Sequence, residues 1–248
     1  MNKRLPESYK WYSDACKMYG YPAHPYGKAI EALVERDDAV LDLGCGIGAA
    51  SLMVAPRCKS VIALDQDMEA LKHLEAEAEK LGVTNIETVC GSWPACAPAR
   101  ADVVLVLHVR NMMKTQENLK LIYESAARGG FIACHASFSR EQRPFAELIE
   151  ALGNAADFRL DSCENGCFAR GVLEALGARV ECERFKYDLG QPLDTLDEAF
   201  RFLCRQAGAE GPSVRTVEKY IARYVTAVGD RFLVPIERHS CGMAFARP

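Results

Sequence analysis

Gly44, Gly46 and Gly48 punctuate the stretch VLDLGCGIGAAS, between an apolar run and a helix-forming one, and Asp42 stands two residues ahead of the first of them. Glycine at such a junction lets the chain turn sharply and lets a ligand approach the main chain without meeting a Cβ. Spacing alone leaves two chemistries open. Gly44, Gly46 and Ala49 satisfy the G-x-G-x-x-G/A pattern that seats a dinucleotide pyrophosphate on a helix N-terminus. A carboxylate at Asp42, however, faces the place where a pyrophosphate brings negative charge, and it suits a ligand carrying an ammonium or sulfonium. Asp65 ends the next apolar run, where an acid accepts hydrogen bonds from the ribose hydroxyls of either ligand.

The elements that must position these groups alternate. Residues 1–36 are aromatic-rich and read mostly as helix. From 39 onward AVLDLG, SVIALD, IETVCG, ADVVLVLHV and FIACHASF read as strands, with AASLMVAPR, MEALKHLEAEAEKLG and NLKLIYESAARGG as helices. In the second of these helices Met68, Leu71, Leu74, Ala78 and Leu81 recur at helical spacing and Gly82 stops it; the third also reads as ending on its glycines. Uninterrupted Val/Ile/Leu strands separated by helices imply a parallel sheet covered on both faces. After 139, RPFAELIEALG and CFARGVLEALG read as helices and RVECERFKYDL as a strand. Two helices fill 194–228, with Leu193, Leu196, Ala199, Phe200 and Leu203 as a packed face, and RFLVPIERHSCGMAFARP closes as a last strand or hairpin.

Composition narrows the class. Of 248 residues, 49% are hydrophobic and 26% charged, which predicts a packed fold. The net charge of -4 and the lack of a basic run argue against a broad nucleic-acid or anionic-membrane surface. No stretch reaches the roughly 18 apolar residues of a membrane span, and the N-terminus has no signal-like apolar core. The 11 cysteines are scattered, with Cys90, Cys134 and Cys182 inside strands, where buried free thiols act as small hydrophobes. A reducing, cytoplasmic setting is expected. Cys163 and Cys167 in CENGC lack partners at zinc-finger spacing, so no metal is expected.

VLDLGCGIG followed by VIALDQD resembles the first two motifs of class I S-adenosylmethionine-dependent methyltransferases, and the similarity runs over residues 39–138, through ADVVLVLHV and GGFIACHASF as strands four and five. The resemblance implies S-adenosylmethionine as cofactor and S-adenosylhomocysteine (SAH) as product. It implies that Asp42, Gly44, Cys45, Gly46 and Gly48 hold the methionine portion and Asp65 the ribose. It also implies a Rossmann-like, doubly wound, mostly parallel seven-stranded α/β sheet with an N-terminal helical segment and helical cap insertions. The chain then reads as one methyltransferase domain over 1–248: a lid at 1–36, a cofactor-binding core at 37–138, and acceptor-side helices and last strands at 139–248. One departure stands out. Many relatives carry Gly-Asp after strand three, the Asp bonding the adenine amino group, whereas CGSWP puts Ser92 there. Its hydroxyl accepts the same bond. Trp93 is then either an adenine platform or packing beneath a loop, and Gln66 is a further candidate for the adenosine pocket.

Methyl transfer requires alignment of the nucleophile, exclusion of water and, for some acceptors, removal of a proton. The [DNS]-P-P-[YFW] motif of base and glutamine N-methylation is absent after strand four, where LHVRNMM stands. His108, at the carboxyl end of that strand, faces cofactor and acceptor, either as a base or as a histidine holding a loop. Arg110, followed by Asn111, would bind an acidic acceptor or be solvated. His135 is expected as a satisfied core histidine. In YGYPAHPYGK, Tyr21, His24 and Tyr26 are candidates for the acceptor pocket, against simple packing. The expected function is methyl transfer to a small molecule in the cytoplasm, without a membrane or nucleic-acid partner and with a homodimer allowed. The alternatives are an RNA or protein methyltransferase, an S-adenosylmethionine-binding protein without transfer activity and, least favoured, a nucleotide-dependent oxidoreductase.

Overall fold

The five apolar runs expected as strands become the parallel part of a seven-stranded sheet in order β3-β2-β1-β4-β5-β10-β6. These are β1 (Ala39–Leu43), β2 (Ser60–Asp65), β3 (Ile86–Cys90), β4 (Ala101–Leu107) and β5 (Ala126–His135). β10 (Glu237–Ala246) runs antiparallel between β5 and β6 (Arg179–Asp188). A computed structural model describes residues 6–96, 100–109, 112–135, 145–153 and 164–248. The order reverses between β1 and β4, and in open α/β sheets the crevice outside the carboxyl ends at that point is where ligands bind.

Helices cover both faces. α2 (Ala23–Glu31) and α3 (Ala49–Val54) pack Tyr26, Ile30 and Val54 against Val40, Val61, Leu105 and Phe131. α5 (Gln116–Ser125) and α7 (Glu164–Ala175) pack Leu119, Ile122 and Leu173 against Leu41, Val104, Ile132 and Phe245 on the other face. α1 (Pro6–Tyr19) lies over the ends of β1 and β2, where Tyr9 packs with Ile47 and with Ala70 of α4 (Met68–Leu81). α6 (Ala146–Ala151) joins a third cluster built on an insertion between β6 and β10. That insertion comprises α8 (Leu196–Ala207), α9 (Val214–Tyr224) and a small sheet of β7 (Gln191–Leu193), β9 (Arg231–Val234) and β8 (Thr226–Val228). Its core gathers Leu193, Phe202, Leu203, Val217 and Val234 with Trp11 and Phe145. Among the described residues no helix is long and apolar enough to cross a membrane.

Several expectations need correction. The helix expected over NLKLIYESAARGG ends at Ser125, and AARGG already belongs to β5. Its glycines are not a stop but a fit: a Cβ on Gly129 would stand 2.1 Å from the Phe245 carbonyl oxygen, and one on Gly130 2.3 Å from that of Val104. The presumed hairpin splits between two sheets at Pro235, because β9 pairs within the insertion and β10 with the main sheet. Leu193 belongs to β7, and α8 begins only after a capping box in which Thr195 and Glu198 satisfy each other's backbone N–H. Leu196, Met68 and Leu81 lie at helix ends and are exposed. Of Cys90, Cys134 and Cys182, only Cys134 is buried. Cys163 lies outside the described residues.

Gly129→Ala should lower unfolding stability by about 2–3 kcal/mol, because the β10 backbone at Phe245 and Ala246 must move to admit a methyl group. Urea unfolding checks this. A midpoint within experimental error of wild type would show that β5 and β10 part easily.

Candidate functional site

The turn after β1 is clipped to β2 by two bonds, Gly44 N–H and Cys45 N–H both donating to the Leu64 carbonyl at 2.8 and 3.1 Å. Gly44, Gly46 and Gly48 all have positive φ, at 69°, 55° and 75°. Two of them are also packed tightly, since a Cβ on Gly44 would meet Val109 at 2.5 Å and one on Gly48 would meet Leu74 at 2.2 Å. Gly46 differs, with nothing within 4 Å of that position, so its backbone face is open to a ligand.

Asp65 braces this turn. One carboxylate oxygen accepts Gly46 N–H at 2.8 Å and the other accepts Asp67 N–H at 2.9 Å. Each oxygen keeps a lone pair for a further donor. Asp67 in turn caps α4 and accepts the Tyr9 hydroxyl at 2.6 Å, which fastens α1 over the turn. Asp42 is buried and accepts the Ser51 hydroxyl at 2.6 Å. Burial pushes its carboxyl up to about 6, against the pull of Ser51 and with a smaller push from Asp65. With Gly44, Cys45, Tyr12, Tyr21, Pro22 and Leu107 it lines a cavity of about 40 Å³. Burial also pushes the Cys45 thiol up, so it stays protonated. Gln66 and Ser92 are exposed beside this edge. Trp93 packs against the core, and its buried indole N–H has no partner among the described residues.

The neighbouring half of the edge is aromatic and polar. His108 follows β4 with φ at 59°, a conformation non-glycine residues seldom adopt, and its N–H donates to the Ala133 carbonyl. Its Nε2 lies 2.9 Å from the Tyr26 hydroxyl, which also meets Ser240 Oγ at 2.6 Å and the Tyr187 hydroxyl at 3.2 Å. Burial, then His135 and Arg238, holds the imidazole well below its usual range, so it is neutral at pH 7. Burial likewise keeps the phenols of Tyr21 and Tyr26 protonated. The Tyr21 ring stacks on Tyr187 at 5.9 Å and borders the Asp42 cavity as well, so the two halves of the site adjoin.

The structure therefore brings Asp42, the glycines, Asp65, Tyr21, Tyr26 and His108 to one edge. His24 is not among them: it is exposed at a non-helical kink inside α2. His135 is no core histidine but an exposed residue at the end of β5, its ring stacked on His108 at 4.0 Å. Arg110 lies outside the described residues, as does Asn111. Tyr12, Tyr187, Arg238 and Ser240 went unread. The signal for Arg238 and Ser240 was the direction of the final strand, since an antiparallel β10 carries its first residues to the carboxyl edge, where β6 ends with Tyr187. Among the described residues no group of three or more His, Cys, Asp or Glu is placed to hold a metal.

Asp42 makes a pH signature. Its folded value of about 6 lies above the unfolded value of about 3.9, so the folded state binds its proton more tightly. Wild-type stability on this account falls as pH rises from about 4 to about 6 and stays lowered above, by roughly 2–3 kcal/mol. Asp42→Asn, which keeps an acceptor for Ser51, should be more stable than wild type at pH 7.5, with the gain shrinking by pH 4.5. Urea unfolding at the two pH values decides; an equal difference at both would refute the assignment.

Residues 40–130 match the family model for a methyltransferase domain. The chain is 39% identical over 67 residues to an uncharacterised RNA methyltransferase of Oceanobacillus iheyensis, covering 27% of this chain and 15% of that protein. It is 31% identical over 124 residues to an (S)-coclaurine N-methyltransferase of Thalictrum flavum, covering 47% and 34%. The chain thus spans about a third or less of the length of these curated relatives. Among solved structures, the magnesium protoporphyrin IX methyltransferase of Synechocystis, with bound SAH, superposes at a TM-score of 0.53 and 13% identity, over 98% of this chain and 83% of that one. Its fold is the one described above. Residues 40–130 thus match a methyltransferase domain, and the sheet around them has the fold of that solved methyltransferase.

Proposed function

We propose that the protein transfers a methyl group from S-adenosylmethionine to a small-molecule acceptor. The observation that carries this reading is the adjacency of the braced glycine turn and the His108–Tyr26–Tyr187 cluster, with Tyr21 bordering both. The residues fit the cofactor. Gly46 leaves its backbone open, Asp65 keeps acceptor capacity at the ribose position, and Asp42 is largely ionised at pH 7 beside Cys45 and Gly44. The orphan Trp93 indole N–H offers a donor next to the loop after β3, and the exposed Ser92 and Gln66 flank it.

Bound S-adenosylmethionine supplies a methyl group on a sulfonium, which needs no further activation. The task of the chain is to orient the acceptor and to take up its proton. With Nε2–H donating to Tyr26, His108 presents Nδ1, which has no partner among the described residues, as the atom that accepts that proton. A neutral imidazole at pH 7 is in the form required. The aromatic rings of Tyr12 and Tyr21 on the cavity, with Tyr187 stacked behind Tyr21, and the acidic net charge favour a small molecule over RNA.

Calorimetric titration with S-adenosylmethionine, SAH and NAD tests the reading. The first two should bind with micromolar affinity and NAD should not. Asp65→Ala should weaken both by ~10-fold or more, because it removes the ribose acceptor and unties Gly46. Binding of NAD alone would overturn the proposal, as would the absence of binding by all three.

A further inference from the structure

Arg238 is the feature of this edge that the family motifs leave unexplained. It stands on β10 opposite Tyr187 in register, and its guanidinium lies among Tyr12, Tyr21, Tyr187 and His108. Its Nε is sealed from solvent and has no hydrogen-bond partner. Among the described residues no carboxylate pairs with it. Other arginines of the chain are compensated: Arg128 by Asp38 and Glu35, Arg231 by Asp14 and Asp194, Arg247 by the carbonyls of Tyr123 and Ala126. A half-buried guanidinium whose Nε is sealed, with no counter-charge among the described residues, is costly to the fold. The groups that face it do not relieve it, since the three phenols and the imidazole are neutral at pH 7. Glu237, its neighbour in sequence, is taken by Lys186 and His239. Asp42, which lines a cavity with Tyr12 and Tyr21, is held by Ser51.

We propose that Arg238 is the anchor for a carboxylate on the methyl acceptor, so that the substrate is a small monoanionic carboxylic acid. The planar fork of a guanidinium matches a carboxylate in bidentate fashion, and a single positive charge balances a single negative one. An acid anchored there lies against His108 and Tyr21 with its other end toward the glycine turn. The anchor thus sets both the affinity and the end of the substrate offered to the methyl group. The proposal rests on the methyltransferase reading of the adjoining turn.

Benzoate and its neutral counterpart benzyl alcohol are the probes, titrated calorimetrically into the full chain with SAH present. Benzoate should bind and benzyl alcohol should bind at least ~10-fold more weakly. Arg238→Gln should lose benzoate binding by ~10-fold or more, and Arg238→Lys, which keeps the charge but not the fork, should fall between. Thermal unfolding of each variant confirms that it is folded, and if the glutamine variant is not, the lysine variant decides alone. Equal binding of the two probes, no binding of benzoate at millimolar concentration, or benzoate binding that survives in the folded variants would each overturn the proposal. SAH affinity of the wild type is read separately. If SAH fails to bind while benzoate binds through Arg238, the anion site stands and its role as a methyl-acceptor site falls.

Discussion

The carboxylate of Asp65 ties the end of β2 to the turn after β1, and the rest of the edge is arranged around that tie. Its two oxygens hold Gly46 N–H and Asp67 N–H, so the glycine turn and the start of α4 are set by one side chain. Asp67 then caps α4 and receives Tyr9, which brings α1 down over the turn. A charged acceptor for backbone N–H groups is a strong partner. An acid expected only to receive ribose hydroxyls therefore has a structural part as well, and both uses draw on different lone pairs of the same group.

Electrostatic neutrality marks the other half of the site. His108, Tyr21, Tyr26 and Tyr187 are all kept uncharged by burial, and they hydrogen-bond or stack with one another. Polar groups that satisfy one another can be buried at modest cost, whereas an unmatched one cannot. Against that background Asp42, pushed toward protonation, and Arg238, which no carboxylate pairs among the described residues, are groups whose burial opposes folding. Tyr12 and Tyr21 neighbour both of them. Strain kept at a site rather than removed is the usual mark of groups whose partners arrive with ligands.

The N-terminal segment closes the arrangement. Tyr12 and Tyr21 wall the cavity beside Asp42, and Tyr26 sits fully buried at the junction of β4, β5, β6 and β10. The cavity of about 40 Å³ holds little more than a water molecule, far less than the roughly 300 Å³ or more of a small-molecule site.

By itself the sequence determined the local part. Five apolar runs, a glycine turn with Asp42 before it and Asp65 ending the next strand specify the parallel strands and the turn at their carboxyl edge, because each rests on periodicity or backbone freedom within a few residues. The helix end at Ser125 was misread because Gly129 and Gly130 look like a stop locally, while their need for small size comes from Phe245 and Val104, far away in the chain. The same limit hid the neighbours of His108. Ser240 and Arg238 come to it only because β10 runs antiparallel between β5 and β6, and Tyr187 because β6 ends beside them, a choice made by pairing across the whole sheet. Burial decided the rest: the same histidine or tyrosine is a charge, a base or a neutral wall according to what tertiary packing leaves around it.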